Sequence, residues 1–150
     1  MRLEGKTAIV TGGAKGIGLA ISRRLAADGA KVMIVDIDEA AGAEAVETLS
    51  VDGSVRFIAA DVSERLDVHN LVARTIDAYG PISILVNNAG IVHAADFLDI
   101  EEDDFDRVLK VDLKSAFLCG KAIARHMVAQ VEAGNPPGNV INISSTNDSF

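Results

Sequence analysis

Apolar and polar positions along this chain fall into two kinds of block. Five short runs rich in β-branched residues, TAIVT (7–11), VMIVD (32–36), VRFIA (55–59), ISILVNN (82–88) and NVINIS (139–144), are mostly continuous in their apolar character. That pattern suits parallel strands covered on both faces, since a strand with one wet face alternates instead. Between the runs the spacing becomes helical. Ile17, Ala20, Ile21 and Leu25 repeat at helical intervals over 17–27, and Val68, Leu71, Val72, Thr75 and Ile76 do so over 64–79. Asp38 and Ser63 stand where side-chain N-caps are wanted, with Glu39 and Glu64 just inside to favour the positive helix end. Residues 101–132 open on EEDDFD and then carry Leu109, Leu113, Phe117, Ala124 and Val128 near one stripe, which predicts one long helix ended by AGNPPG. The strand NVINIS delivers Ser144 and Ser145 into a polar turn over 146–150. Strands alternating with helices imply βαβ crossovers and a doubly wound parallel sheet of the α/β class.

Composition narrows the partners. At 150 residues and 49% apolar content one core is expected, so 1–150 reads as a single domain. A net charge of -8 argues against nucleic acid, which requires a basic face. No apolar run approaches the roughly 20 residues that span a bilayer, and MRLEGK leads straight into the first strand without signal-peptide architecture. The single cysteine, Cys119, closes no intramolecular disulfide and lies in an apolar helical stretch, so it reads as a buried small hydrophobe. The cytoplasm is the expected compartment. His69, His93 and His126 show no metal-ligand spacing with one another or with Cys119.

Candidate chemistry concentrates at strand ends. TGGAKGIG (11–18) joins the first strand to the first helix, where free N–H groups and the helix dipole favour a phosphate and glycines allow close approach. Gly12, Gly16 and Gly18 give G-x-x-x-G-x-G, and Leu19 and Ala20 stand where a nucleotide-triphosphate loop requires Lys and Ser or Thr. Taken alone, such a turn is also a plain tight connection. Asp36 ends the second strand about 20 residues further on, where a carboxylate accepts both hydroxyls of an adenosine ribose and repels a 2′-phosphate. This favours NAD over NADP, although Lys15 in the glycine turn pulls the other way.

TGGAKGIG, Asp61-Val62, NNAG (87–90) and NISS (142–145), in this order, resemble the short-chain dehydrogenases/reductases. The resemblance implies a Rossmann-type sheet ordered 3-2-1-4-5, continuing in a complete member into further strands and helices. It implies that Gly12, Gly16, Ile17 and Gly18 hold the pyrophosphate of NAD, Asp36 the adenosine ribose with Ile37 beside it, and Asp61 and Val62 the adenine. Asn88, Ala89 and Gly90 would line the nicotinamide half, with Val111 bordering the cofactor from the long helix. The implied activity is hydride transfer between NAD(H) and an alcohol or ketone, in a protein that is often a dimer or tetramer.

By the same resemblance Ser145 positions the substrate oxygen, with Ser144 the lesser candidate, and a Tyr-x-x-x-Lys pair exchanges the proton. That pair is not among these residues: the only tyrosine, Tyr79, ends a helix with no lysine four places on. The chain therefore reads as the N-terminal portion of a longer enzyme, inactive alone. Asp112 stands in VDLKSAF where the family usually has asparagine in a proton relay, keeping an acceptor and losing the amide donor. Two rivals survive on sequence: a dinucleotide-binding module that senses without turnover, and a structural subunit assembling through 101–132.

Overall fold

The computed structural model describes residues 2–49 and 52–145. Five parallel strands, β1 (Thr7–Thr11), β2 (Lys31–Asp36), β3 (Val55–Ala59), β4 (Ile84–Asn87) and β5 (Asn139–Asn142), form one sheet in the order β3-β2-β1-β4-β5. All five expected runs become strands, with β4 and β5 shorter than the runs that announced them. The polar turn expected over 146–150 lies outside the described residues.

Alternate side chains of the strands feed two cores. Ile9, Met33, Val35 and Leu85 point to one face, covered by α3 (Arg65–Tyr79) and α5 (Ser115–Glu132). Ala8, Val10, Val32, Ile34 and Val86 point to the other, covered by α1 (Gly16–Ala27) and α2 (Glu39–Leu49). Continuous apolarity in β1, β2 and β4 follows from this two-sided burial. Along β5 every residue is exposed, including Val140 and Ile141. Among the described residues no helix is long and apolar enough to cross a membrane.

Three helical expectations need correction. The face of α1 that packs inward is carried by Gly18 and Ser22 with Leu19, Ile21 and Leu25 beside them, while Ile17 and Ala20 turn outward. The cause is Gly18, which must face the glycine turn. At α3, Ser63 does not cap: its hydroxyl donates to Asp61, and the helix starts at Arg65. Asp38 does cap α2, its Oδ1 accepting the Ala41 N–H at 3.0 Å.

The third correction concerns 101–132. In place of one uniform helix the chain forms α4 (Glu102–Val108), a π-helical segment at Leu109–Lys114, then α5. The Ser115 N–H donates to the Lys110 carbonyl, five residues back, which is the π pattern. The stripe Leu109, Leu113, Phe117 and Val128 forms but faces solvent, and the buried face of α5 is Leu118, Cys119, Ile123, Met127 and Gln130. With its amide set to satisfy both neighbours, Gln130 donates to the Ile82 carbonyl and accepts the Ile82 N–H, each at 2.9 Å, so a helix side chain satisfies the backbone just ahead of β4.

Candidate functional site

In chain order the strands run outward from β1 to β3 on one side and return at β4 and β5 on the other. Such a reversal opens a crevice at the carboxyl ends of the strands. Here it encloses about 520 Å³, within the range of about 300–1,000 Å³ usual for small-molecule sites. Its walls include ten expected residues: Gly12, Gly16, Asp36, Ile37, Asp61, Val62, Asn88, Ala89, Gly90 and Val111.

The floor is the glycine turn. Gly16 has φ of +52°, a left-handed conformation in which a side chain is strained. Gly18 meets the turn so closely that an added Cβ would stand 2.0 Å from the Gly12 carbonyl oxygen and 2.6 Å from Asn88 Nδ2. The N–H groups of Gly16, Ile17 and Gly18 find no internal acceptor among the described residues, the first such bond being Leu19 N–H to the Lys15 carbonyl at 3.0 Å. Gly18 lies beneath the turn, outside the crevice wall, and Ile17 is 66% exposed outside it.

Asp36 is fixed by backbone donors. Its Oδ2 accepts the Ala14 N–H at 3.3 Å and its Oδ1 the Asp38 N–H at 3.2 Å. A carboxylate has about four acceptor positions, so one remains on each oxygen for a ligand. Beside it, the Lys15 ammonium pairs with Asp38 Oδ2. Their hydrogen bond raises the Lys15 pKa, while the Ala41 N–H and then Lys15 hold the Asp38 carboxyl below its ordinary value.

Further along, the Asp61 carboxylate accepts the Ser63 N–H at 2.9 Å and the Ser63 hydroxyl at 2.6 Å. Burial pushes its pKa up, but the two Ser63 bonds and nearby Lys110 and Lys114 outweigh this and leave it lowered. The opposite wall is tied to β1 by Asn88, whose amide donates to the carbonyls of Thr11 and Gly12, each at 3.1 Å. Asn87, one residue earlier, donates to Asn142 Oδ1 at 2.9 Å across β4 and β5.

Asp112 stands in the π-helical segment outside the crevice wall, its Oδ1 accepting the Ile91 N–H at 2.8 Å. It thereby fastens the Gly90–Ile91 wall to the helix. Ser145 is exposed beyond the end of β5, outside the crevice lining. Lys15, Val35, Ala60, Ile91 and Arg107 also line the crevice. Arg107 carried a signal, since it lies one helical turn before Val111.

The remaining reactive groups are accounted for elsewhere. Tyr79 donates to the Gly53 carbonyl at 3.0 Å beneath Lys31 and Arg56, and burial pushes its pKa up to about 12 against the opposing Arg56 charge. Cys119 is fully buried, which pushes its thiol up to about 12. His93 Nε2 lies 3.6 Å from Asp104 Oδ2.

Comparison with known proteins fits this geometry. The family described as short chain dehydrogenase matches residues 6–149. An uncharacterized oxidoreductase of Thermotoga maritima is 39% identical over 145 residues, covering 96% of this chain and 55% of that protein. Sorbitol dehydrogenase of Cereibacter sphaeroides is 38% identical over 146 residues, covering 97% and 54%. The crystal structure of a 3-ketoacyl-(acyl-carrier-protein) reductase from Brucella melitensis, complexed with NADH, superposes with a TM-score of 0.90 at 33% identity, covering 95% of this chain and 58% of that one. The chain spans about half the length of the curated relatives it matches.

Proposed function

Because this chain belongs to the short chain dehydrogenase family, we propose that its crevice binds NAD and that the complete protein interconverts an alcohol and a ketone. The observation that carries the cofactor reading is Asp36, held by two backbone amides with an acceptor position free on each oxygen. Those positions suit the two hydroxyls of an adenosine ribose and oppose a 2′-phosphate. The unpaired N–H groups of Gly16, Ile17 and Gly18 suit the pyrophosphate, and the close approach at Gly18 keeps the first turn of α1 against it. Asp61 and Val62 would border the adenine with Val111 across from them, and Asn88, Ala89 and Gly90 the nicotinamide half.

NAD, when bound, supplies the carbon that takes or gives the hydride. The residues present would bind and orient. Asp112 holds the Gly90–Ile91 wall, and Ser145 would position the substrate oxygen from the end of β5. Tyr79 does not serve as the proton-exchange group: its hydroxyl is engaged with Gly53, and its pKa is pushed away from neutrality. The chain spans about half the length of the curated relatives it matches, which supports reading it as the dinucleotide-binding portion of the complete protein; on that reading it should bind without turnover when alone.

Titration of the full-length protein with NADH and NADPH, with and without Asp36→Ala, tests this. Tighter binding of NADH, and a smaller difference in the variant, is the expected result. An unchanged preference would remove the ribose role from Asp36, and binding of neither dinucleotide would sink the reading altogether. Binding without turnover of any ketone or alcohol by the full-length protein would favour a sensing module. The proposal extends to self-association: Leu109, Leu113 and Phe117, all solvent-facing on one helical stripe, suit burial against a second copy.

A further inference from the structure

Lys15 and Asp36 make opposite demands on the same end of the crevice. A 2′-phosphate brings about -1.5 to -2 charge and would be repelled by Asp36 but attracted by a free ammonium. The structure disposes of that ammonium. Lys15 bonds Asp38, whose other oxygen caps α2 through the Ala41 N–H at 3.0 Å and whose own N–H turns Asp36 into place at 3.2 Å. One residue therefore does three things at the tip of β2.

We propose that Asp38 is a specificity-determining residue for the dinucleotide: by holding Lys15 it withdraws that cation from the position a 2′-phosphate would occupy, so the crevice selects an adenosine ribose with both hydroxyls free. This rests on the reading of the crevice as a dinucleotide site. The geometry supports it in two ways. Lys15 lines the crevice, so it borders the region a ligand would enter, and its ammonium is held on Asp38, outside the lining. To meet a 2′-phosphate it would have to leave Asp38, adding an uncompensated carboxylate to the negative field of Asp36 and Glu44 that Lys15 already senses.

Both partners are solvent-accessible, with side chains 67% and 38% exposed, so the lock is weak by itself. Exposed pairs of this kind are worth at most about a fivefold change in an equilibrium. The effect adds to that of Asp36 and does not replace it. A purely structural clip between the glycine turn and α2 would behave differently, since breaking it would shift the affinities for both dinucleotides together.

The test is a double-mutant cycle on the full-length protein, with Asp38→Asn, Lys15→Met and the double variant titrated by NADH and NADPH. Asparagine caps helices as well as aspartate does, so the start of α2 is retained. Asp38→Ser, a second neutral cap, must shift the preference in the same direction. The expected result is an NADPH-to-NADH affinity ratio raised about fivefold in Asp38→Asn, within twofold of wild type in Lys15→Met, and returned to wild type in the double variant. An unchanged ratio in both Asp38 variants, or a gain that persists without Lys15, overturns the role of Asp38 while leaving the dinucleotide site intact. Failure of the wild-type protein to bind either dinucleotide overturns the site and this inference together.

Discussion

Replacing Thr11 by valine should loosen the crevice from within while keeping the shape of β1. Thr11 is the last residue of that strand and 2% exposed. Its hydroxyl oxygen accepts the N–H groups of Asn88 and Ala89, both at 3.0 Å, and donates to the Val86 carbonyl at 3.4 Å. Valine fills the same space and offers no acceptor. An orphaned buried donor costs about 1–3 kcal/mol, and because Asn88 and Ala89 are only half-buried the lower figure applies to each, giving a total of about 2 kcal/mol. Thr11→Ser retains the hydroxyl and loses one methyl, a cost of about 1 kcal/mol. With a urea slope of about 2 kcal/mol per molar for a domain of this size, the unfolding midpoint should fall by about 1 M in the valine variant and by about half that in the serine variant. Circular dichroism during urea titration reads both. A valine variant whose midpoint equals or exceeds that of the serine variant would refute the claim that this hydroxyl fastens β4 to β1.

The remaining predictions concern packing, ionisation and assembly. Gly18→Ala should abolish dinucleotide binding and destabilise the fold by at least about 1–3 kcal/mol, because its Cβ would meet the Gly12 carbonyl at 2.0 Å; calorimetry of binding and unfolding reads both. Gly16→Ala meets nothing within 4 Å and should cost only its left-handed strain, about 1–2 kcal/mol. The Tyr79 pKa is raised from 10.0 to about 12, so the native state holds that proton more tightly. The stability this contributes is complete below pH 10 and disappears as pH rises towards 12. Tyr79→Phe should flatten the alkaline decline across that interval, and parallel profiles for the two proteins would contradict the assignment. Leu113→Glu should lower the apparent mass of the full-length protein in analytical ultracentrifugation; an unchanged mass would remove this stripe from assembly.

The sequence made the sheet legible because two-sided burial in a parallel sheet leaves a mark that needs no tertiary knowledge, an unbroken β-branched run such as TAIVT or VMIVD. The helix faces were less legible. Ile17 has the right spacing to be buried, yet Gly18 must lie against Gly12, and that contact sets the rotation of α1. Ser63 has the chemistry of a cap, but Asp61 two residues earlier offers its hydroxyl a stronger acceptor. Nine of the ten expected wall residues lie at strand ends or in the turns that follow them, whereas Val111, in the π-helical segment, was reached through the family resemblance alone. The Lys15–Asp38 pair could not be read in the same way: it joins residues 23 apart whose approach depends on β1 pairing with β2. Arg107 was passed over for a simpler reason, as an arginine amid the acidic residues of α4 resembles an ordinary solvated charge.

The π-helical segment at Leu109–Lys114 has a consequence for which changes in chain length this protein tolerates. Each α-helical residue advances the helix by about 100°. Deleting one residue from a regular α-helix therefore swings one flank round by that amount. A π turn holds one residue more than an α turn, so a deletion inside this segment is taken up by a return to regular winding, with α4 and α5 kept in phase. What it removes is local: the wider turn carries Val111, on the crevice wall, and Asp112, which holds the Ile91 N–H. A deletion in α5, where Cys119 and Ile123 are sealed in the core, would instead turn a whole buried face out of register.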